Sequence, residues 1–191
     1  MNFLGHFYLS KNDTGLILGN YIADFVKGKN YNNYPEHISR GIMMHRRIDT
    51  FTDSHAMVRQ GRKRIFEKYR HFAGIIIDMY YDHFLANRWL DYSDISLQEY
   101  SAFVYAIIEE NLHLLPPQSQ YMFTYMKNGN WLMRYATTEG LEKSLRGMAG
   151  RITHPSRLEE AREELIAYYP EWDAEFLAFM SDLQVEFGAS R

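Results

Sequence analysis

The stretch GIIIDMYYDHFLANRW, residues 74–89, is a strongly apolar run that carries Asp78, Asp82 and His83 in its middle. It narrows what the chain can fold into. Strands rarely exceed about 10 residues, and a membrane-spanning helix needs roughly 18 or more consecutive apolar residues. The run is too long for the first and too polar for the second. It ends in helix-friendly residues, so it predicts a core helix. Charges inside such a helix are costly unless they reach water or find a partner. Either these three side chains face solvent, or something compensates them.

The rest of the chain reads the same way. TGLILGNYIADFVKG is an apolar helix with Thr14 as its cap and Gly28 as its stop. PEHISRGIMMHRRIDTF follows, opened by Pro35. DSHAMVRQGRKRIFEKYRHF is a third helix with Asp53 at its N-cap. Ser96 and Glu99 form a capping box, as do Ser156 and Glu159. Pro116 and Pro117 end one helix, Asn128-Gly129 breaks another, and Pro170 interrupts the C-terminal part. The expectation is an all-α, single-domain bundle of about seven to nine helices over residues 1–191, with no hairpin signal and no domain boundary.

Composition sets outer limits. With 46% hydrophobic and 24% charged residues, the chain reads as an ordinary globular protein. A net charge of −3 gives no footprint of a nucleic-acid binder. With no cysteine, disulfides and thiolate metal sites are excluded. The N-terminal MNFLGHFYLS has no basic region and is broken by His6, so no signal peptide is expected and the cytoplasm is the expected compartment.

Polar residues recur four apart inside the early helices. The pairs are Asn20 and Asp24, His45 and Asp49, and Asp78 and Asp82. This spacing puts each pair on one helical face. His83 is turned about 100° from Asp82 and borders the same cluster. Helical bundles build metal sites from facing helices in this way. Clustered carboxylates repel one another unless a cation neutralises them. Imidazole and carboxylate together suit Mn²⁺, Fe²⁺, Mg²⁺ or Zn²⁺. Each pair also has a plainer reading. Asp78 and Asp82 fit a solvent stripe, His45 and Asp49 a structural pair, Asp24 a helix-end contact and His6 a hydrogen-bonded core histidine. His37, His55, His71, His113 and His154 lack such spacing and read as surface or structural residues. No phosphate loop, nucleophile elbow or H-E-x-x-H motif is present. Arg46 and Arg47 directly follow His45, and one guanidinium of the two is expected to face the cluster and hold phosphate.

These segments resemble a known family. MNFLGHFYLS, GNYIADFVKG, GIMMHRRIDTFTDSH and FAGIIIDMYYDHFLANRW are similar, in order, to the bacterial acyl carrier protein phosphodiesterases. Beyond residue 95 the likeness is looser, with LEKSLRGMAGRI its best piece. The resemblance implies an HD-domain-like, metal-dependent phosphohydrolase that removes 4′-phosphopantetheine from holo acyl carrier protein, with Mn²⁺ as cofactor and Mg²⁺ or Fe²⁺ as substitutes. It makes His6, Asp24, His45, Asp49, Asp78, Asp82 and His83 candidates for the metal centre. Asp24, His45, Asp49 and Asp82 are the expected catalytic residues, and Arg46 and Arg47 the expected phosphate ligands. One departure stands out: the chain has no adjacent His-Asp, only Asp82-His83 in reverse order.

Such a substrate also gives the local charge a purpose. Residues 40–71 hold nine Lys/Arg against three Asp/Glu, and residues 156–191 hold three against nine. The plain reading is two solvated faces of opposite sign. The sharper one is that Arg59, Arg62, Lys63, Arg64, Lys68 and Arg70 dock an acidic carrier protein. Two other functions fit the same residues: a phosphohydrolase of a nucleotide or other small phosphoester, and a non-enzymatic helical module that binds an acidic protein.

Overall fold

Local chemistry sets the helix ends in the computed structural model, which describes residues 1–188. In chain order the helices are α1 (Phe3–Ser10), α2 (Thr14–Ile22), α3 (Glu36–Ser54), α4 (Ala56–Tyr69), α5 (Ala73–Asn87), α6 (Trp89–Tyr92), α7 (Leu97–Glu110), α8 (Pro117–Asn128), α9 (Trp131–Arg134), α10 (Thr138–Ala149), α11 (Ala161–Ala167) and α12 (Tyr169–Phe187). No strand occurs among the described residues, so the all-α expectation holds. Nine helices have eight residues or more; the others are short turns between them.

The Ser96–Glu99 capping box forms as expected, with Ser96 N–H donating to Glu99 Oε2 at 2.9 Å and Glu99 N–H to Ser96 Oγ at 3.1 Å. Other ends differ. Asp13, not Thr14, caps α2 by accepting from Leu16 N–H at 2.9 Å. Asp53 is not a cap, because α3 runs on to Ser54; the extended backbone at His55 makes that residue the cap of α4, its Nδ1 accepting from Met57 N–H at 3.3 Å. Ser156 and Glu159 form no box, since Arg157 adopts a left-handed φ of 56° and a 3₁₀ turn intervenes. Pro170 opens α12 rather than breaking a helix, in the first turn where its missing N–H costs nothing.

Helix α5 runs through the core. Ile76, Ile77, Met79, Tyr80, Tyr81 and Leu85 are all 0% exposed. A helix apolar all round must be covered all round, and α1, α4, α10 and α12 do so. The closest helix pairing is α2 on α3. There, a Cβ on Gly19 would fall 2.2 Å from Ile38 O and 2.6 Å from Gly41 Cα, so only glycine permits the approach. This crossing decides where the polar residues of α2 and α3 meet.

The two charged segments largely neutralise each other. Glu175 of α12, only 5% exposed, takes a forked bond from Arg64, at 2.5 and 3.2 Å. Lys68 pairs with Glu164 at 2.7 Å and Glu160 at 3.1 Å, and Arg62 pairs with Asp53. The six-residue docking row is therefore corrected. Arg62, Arg64 and Lys68 are tied down within the chain; Arg59, Lys63 and Arg70 have no ion-pair partner among the described residues. Arg191, one of the tail's cations, lies outside the described residues.

Candidate metal centre

Four elements converge beside the α2–α3 crossing. Helix α1 brings His6, α2 brings Asn20, the 3₁₀ turn after α2 brings Asp24, and α3 brings His45 and Asp49 one turn apart. His6 Nε2 lies 3.3 Å from Asp49 Oδ1, and His45 Nε2 lies 3.2 Å from Asp49 Oδ2 and 3.5 Å from Asp24 Oδ1. Ligand atoms of His6, His45 and Asp49 all fall within 4.8 Å of one another. A cavity of about 450 Å³ opens in front of them and also touches Asp53, Asp78, Trp131 and Arg151.

Asn20 fixes which nitrogen each imidazole offers. Its amide N–H₂ donates to Leu16 O at 3.1 Å and Ser10 Oγ at 2.9 Å, so its Oδ1 must face His6 Nδ1, 3.1 Å away. Its backbone carbonyl lies 3.1 Å from His45 Nδ1. Both neighbours can only accept, so both Nδ1 atoms are donors. Each Nε2 is thereby turned toward Asp49, in the way outer groups orient metal-binding histidines.

The electrostatics are uneven. Burial, reinforced by the nearby His45, lowers His6 to about 4, so His6 is neutral with a free Nε2 lone pair. Burial also opposes charge on His45, but hydrogen bonds to Asp24 and Asp49 outweigh it and raise His45 to about 9. Asp49 sits well below the usual carboxylate range, because the hydrogen bond from His45 and the His45 charge overcome its burial. The hydrogen bond with His45 lowers Asp24. In the bare protein the single positive charge of His45 lies between two carboxylates and leaves the cluster net negative. Two imidazole Nε2 atoms and the Asp49 carboxylate around one point, with Asp24 beside His45, also fit a divalent cation with mixed N and O ligands. The absence of thiolates and the exposed carboxylate side leave room for exchangeable positions, as a reactive site needs.

The other expected ligands lie elsewhere. Asp78 lines the cavity, but its Oδ1 accepts from the Met1 α-ammonium at 3.0 Å, outside the cluster. Asp82 is 0% exposed and accepts from the backbone N–H groups of Asn2, Leu4 and Gly5 at 3.1, 2.8 and 3.2 Å. It caps α1 from another helix. Burial pushes its carboxyl up to about 7, against the pull of the N-terminal charge and those three donors. His83 spends both ring nitrogens on Tyr135 O (2.7 Å) and Tyr169 Oη (3.1 Å). Asp82 and His83 therefore leave the ligand set, because their polar atoms are already occupied. Arg46 donates to Val26 O at 2.7 Å and Gly28 O at 2.8 Å, while Arg47 reaches Glu186 at 3.3 Å. Neither lines the cavity, so the expected phosphate ligands are corrected as well. The cation that does line it is Arg151. Spacing gave no sign of it; its one signal was its place in LEKSLRGMAGRI.

Comparison with known proteins adds an independent line. A family model described as acyl carrier protein phosphodiesterase matches residues 1–183. A Photorhabdus laumondii protein named acyl carrier protein phosphodiesterase is 36% identical over 184 residues, covering 94% of this chain and 91% of its own. Proteins of the same name from Salmonella dublin and Klebsiella pneumoniae are each 34% identical over 180 residues, covering 94% of this chain and 93% of theirs. No solved structure matches the chain.

Proposed function

The chain belongs to the acyl carrier protein phosphodiesterase family and is a phosphoric diester hydrolase, and we propose that it releases 4′-phosphopantetheine from holo acyl carrier protein to leave the apo form. In this reading His6, His45, Asp49 and Asp24 hold a divalent cation, Mn²⁺ in the first instance and Mg²⁺ or Fe²⁺ as substitutes. The observation that carries it is Asn20, which turns Nε2 of two buried histidines toward one carboxylate. A structural ion pair has no need of that double orientation. The HD-like reading of the fold rests on the same mixed imidazole and carboxylate set.

A cation held there supplies positive charge to the phosphate oxygens and lowers the pKa of a water at the site. The protein does the rest. His6 and His45, packed in the core, keep the ligand frame rigid. Asp49 sits between them and neutralises the site. Asp24, 72% exposed at the mouth, is placed to take a proton from the attacking water. The water oxygen bonds to phosphorus, the bond from phosphorus to the serine oxygen breaks, and that oxygen takes up a proton. The products are a phosphomonoester and a free serine hydroxyl.

An acidic carrier protein as substrate sets the expected compartment as the cytoplasm, and no described helix is long and apolar enough to cross a membrane. Docking falls to the cations on and just after α4 that remain unpaired, Arg59, Lys63 and Arg70. The test is intact-mass analysis of holo acyl carrier protein incubated with the enzyme and Mn²⁺, beside metal analysis of the purified chain. Loss of the prosthetic arm, abolished by a chelator and by Asp49→Ala, is expected. Metal-dependent hydrolysis of nucleotides with an intact holo carrier would replace this reading with the small-phosphoester one. No bound metal and no mass change would leave the binding module.

A further inference from the structure

The cavity at the candidate metal centre does not end at the cluster. Met122, Trp131, Met148 and Arg151 wall both it and a second groove of about 610 Å³. This groove lies among α8, α9 and α10, and its volume suits a small-molecule site, which typically spans roughly 300–1,000 Å³. Its chemistry differs from the first cavity. Phe25, Tyr121 and Tyr125 join the shared apolar residues on its walls, and Arg134 and Lys143 stand on its rim. Tyr121 and Tyr125 are 66% and 53% exposed, a large aromatic surface left open to water. Arg151 sits at the seam, and its guanidinium has no ion-pair partner among the described residues.

We propose that this groove seats the pantetheine arm of the diester, with Arg151 gripping the phosphate where the two cavities join. The inference rests on the functional reading above and adds the part of the protein that selects the substrate. The match is chemical. The arm carries a gem-dimethyl carbon next to its phosphate ester, then two amides and a thiol, so it is apolar at the seam and polar further out. Aromatic and methionine walls meet the first part, and a cationic seam meets the phosphate. A phosphate held by Arg151 presents its ester at the cluster only if the arm extends away from it. The continuous groove supplies that direction. Discrimination between diesters thus belongs to α8–α10, while the cluster itself is indifferent to what the phosphate carries.

Gly147 of α10 provides a clean obstruction. It lines the groove, and a Cβ built there meets nothing within 4 Å, so a larger side chain enters open space without forcing the backbone. Replacing a helical glycine also favours the helix. Calorimetric titrations of the purified chain with Mn²⁺ present would compare 4′-phosphopantetheine with inorganic phosphate. The wild type should bind the arm at least tenfold more tightly than phosphate. Gly147→Phe should remove most of that advantage while changing phosphate affinity less than twofold. Arg151→Ala should weaken both ligands about tenfold, and Arg151→Lys should recover part of the loss. Equal binding of the two ligands by the wild type, or unchanged arm binding in Gly147→Phe, would overturn the groove assignment. Unchanged binding in Arg151→Ala would overturn the seam residue. Failure of the functional reading looks different: the groove would still bind the free arm, yet holo carrier protein would stay intact.

Discussion

The imidazole of His6 lies flat against that of His45, with ring centroids 3.9 Å apart and planes 13° from parallel. Two stacked histidines cannot both carry a positive charge cheaply, and here one is pushed down and the other up. The stack holds both Nε2 atoms at the edge of the same cavity. It links packing directly to chemistry, since α1 and α3 must touch for the ligands to converge.

Asn20 is expected to matter for metal affinity although it binds no metal. Asn20→Ala removes the acceptor for His6 Nδ1 and leaves the backbone carbonyl that serves His45. Loss of such an outer partner typically weakens metal binding by about 10- to 100-fold. Calorimetric titration with Mn²⁺ checks this. Wild-type affinity in a folded Asn20→Ala protein would show that the orientation of His6 is set by packing alone.

Asp82→Ala should damage the fold and spare the site. It strips the acceptor from three N–H groups at the start of α1, two of them bonded within the buried core. Each orphaned buried donor costs about 1–3 kcal/mol. A stability loss of at least about 3 kcal/mol in urea titration is expected on that basis, with Mn²⁺ affinity of the folded fraction within about threefold of wild type. A stable variant that binds no metal would return Asp82 to the ligand set.

The metal-free protein should lose stability as pH rises above 6.5. The folded state raises His45 from 6.5 to about 9, so its contribution is full below pH 6.5 and is lost as pH rises toward 9. His6 runs the other way. Its folded value is lowered to about 4, so its contribution is present above pH 6.5 and is lost as pH falls toward 4. Asp82, raised to about 7, offsets that acid loss, since its contribution is full at low pH and fades as pH rises toward 7, so melting temperatures should fall mainly between pH 6.5 and 9. Saturating Mn²⁺ should flatten the alkaline side, because ligand imidazoles are already deprotonated. A profile without the alkaline fall would mean that Asp24 and Asp49 do not hold a proton on His45.

Charge reversal on α4 should separate stability from docking. Arg64→Glu leaves Glu175 buried beside a like charge, and breaking a buried pair costs about 3–5 kcal/mol. Arg59→Glu with Lys63→Glu touches no ion pair among the described residues and should leave the melting temperature nearly unchanged. That double variant should raise KM for holo carrier protein several-fold at low salt, with the effect fading as salt screens it. An unchanged KM would place carrier docking on another face.

The helical character of the chain was legible from end to end, because apolar periodicity, capping residues and prolines act over a few neighbouring positions. Helix limits moved where a local rule met a tertiary demand. Asp53 has the chemistry of a cap, yet α3 continues through it, with the Thr52 side chain buried on the core side. The partnership of His45 and Asp49 was also legible, since four-residue spacing on one helix guarantees proximity. The same rule misled at Asp78 and Asp82. Spacing places both on one face of α5, but it says nothing about what packs there. The start of α1 packs there, and its N–H groups and N-terminal ammonium take both carboxylates.

The amino-acid sequence by itself thus determined an all-helical chain, its family, and a set of histidines and carboxylates rich enough for a metal centre. Only the tertiary structure decided which of them meet. The glycine-mediated approach of α2 to α3, with α1 packed on α2, gathers His6, His45 and Asp49 and sets Asp24 beside His45, while backbone donors claim Asp82 and main-chain carbonyls claim Arg46. Arg151 and the groove behind it join residues far apart in the chain. The physical reason is range: helix formation is read from near neighbours, whereas a site depends on which polar atoms remain unsatisfied once every helix has packed.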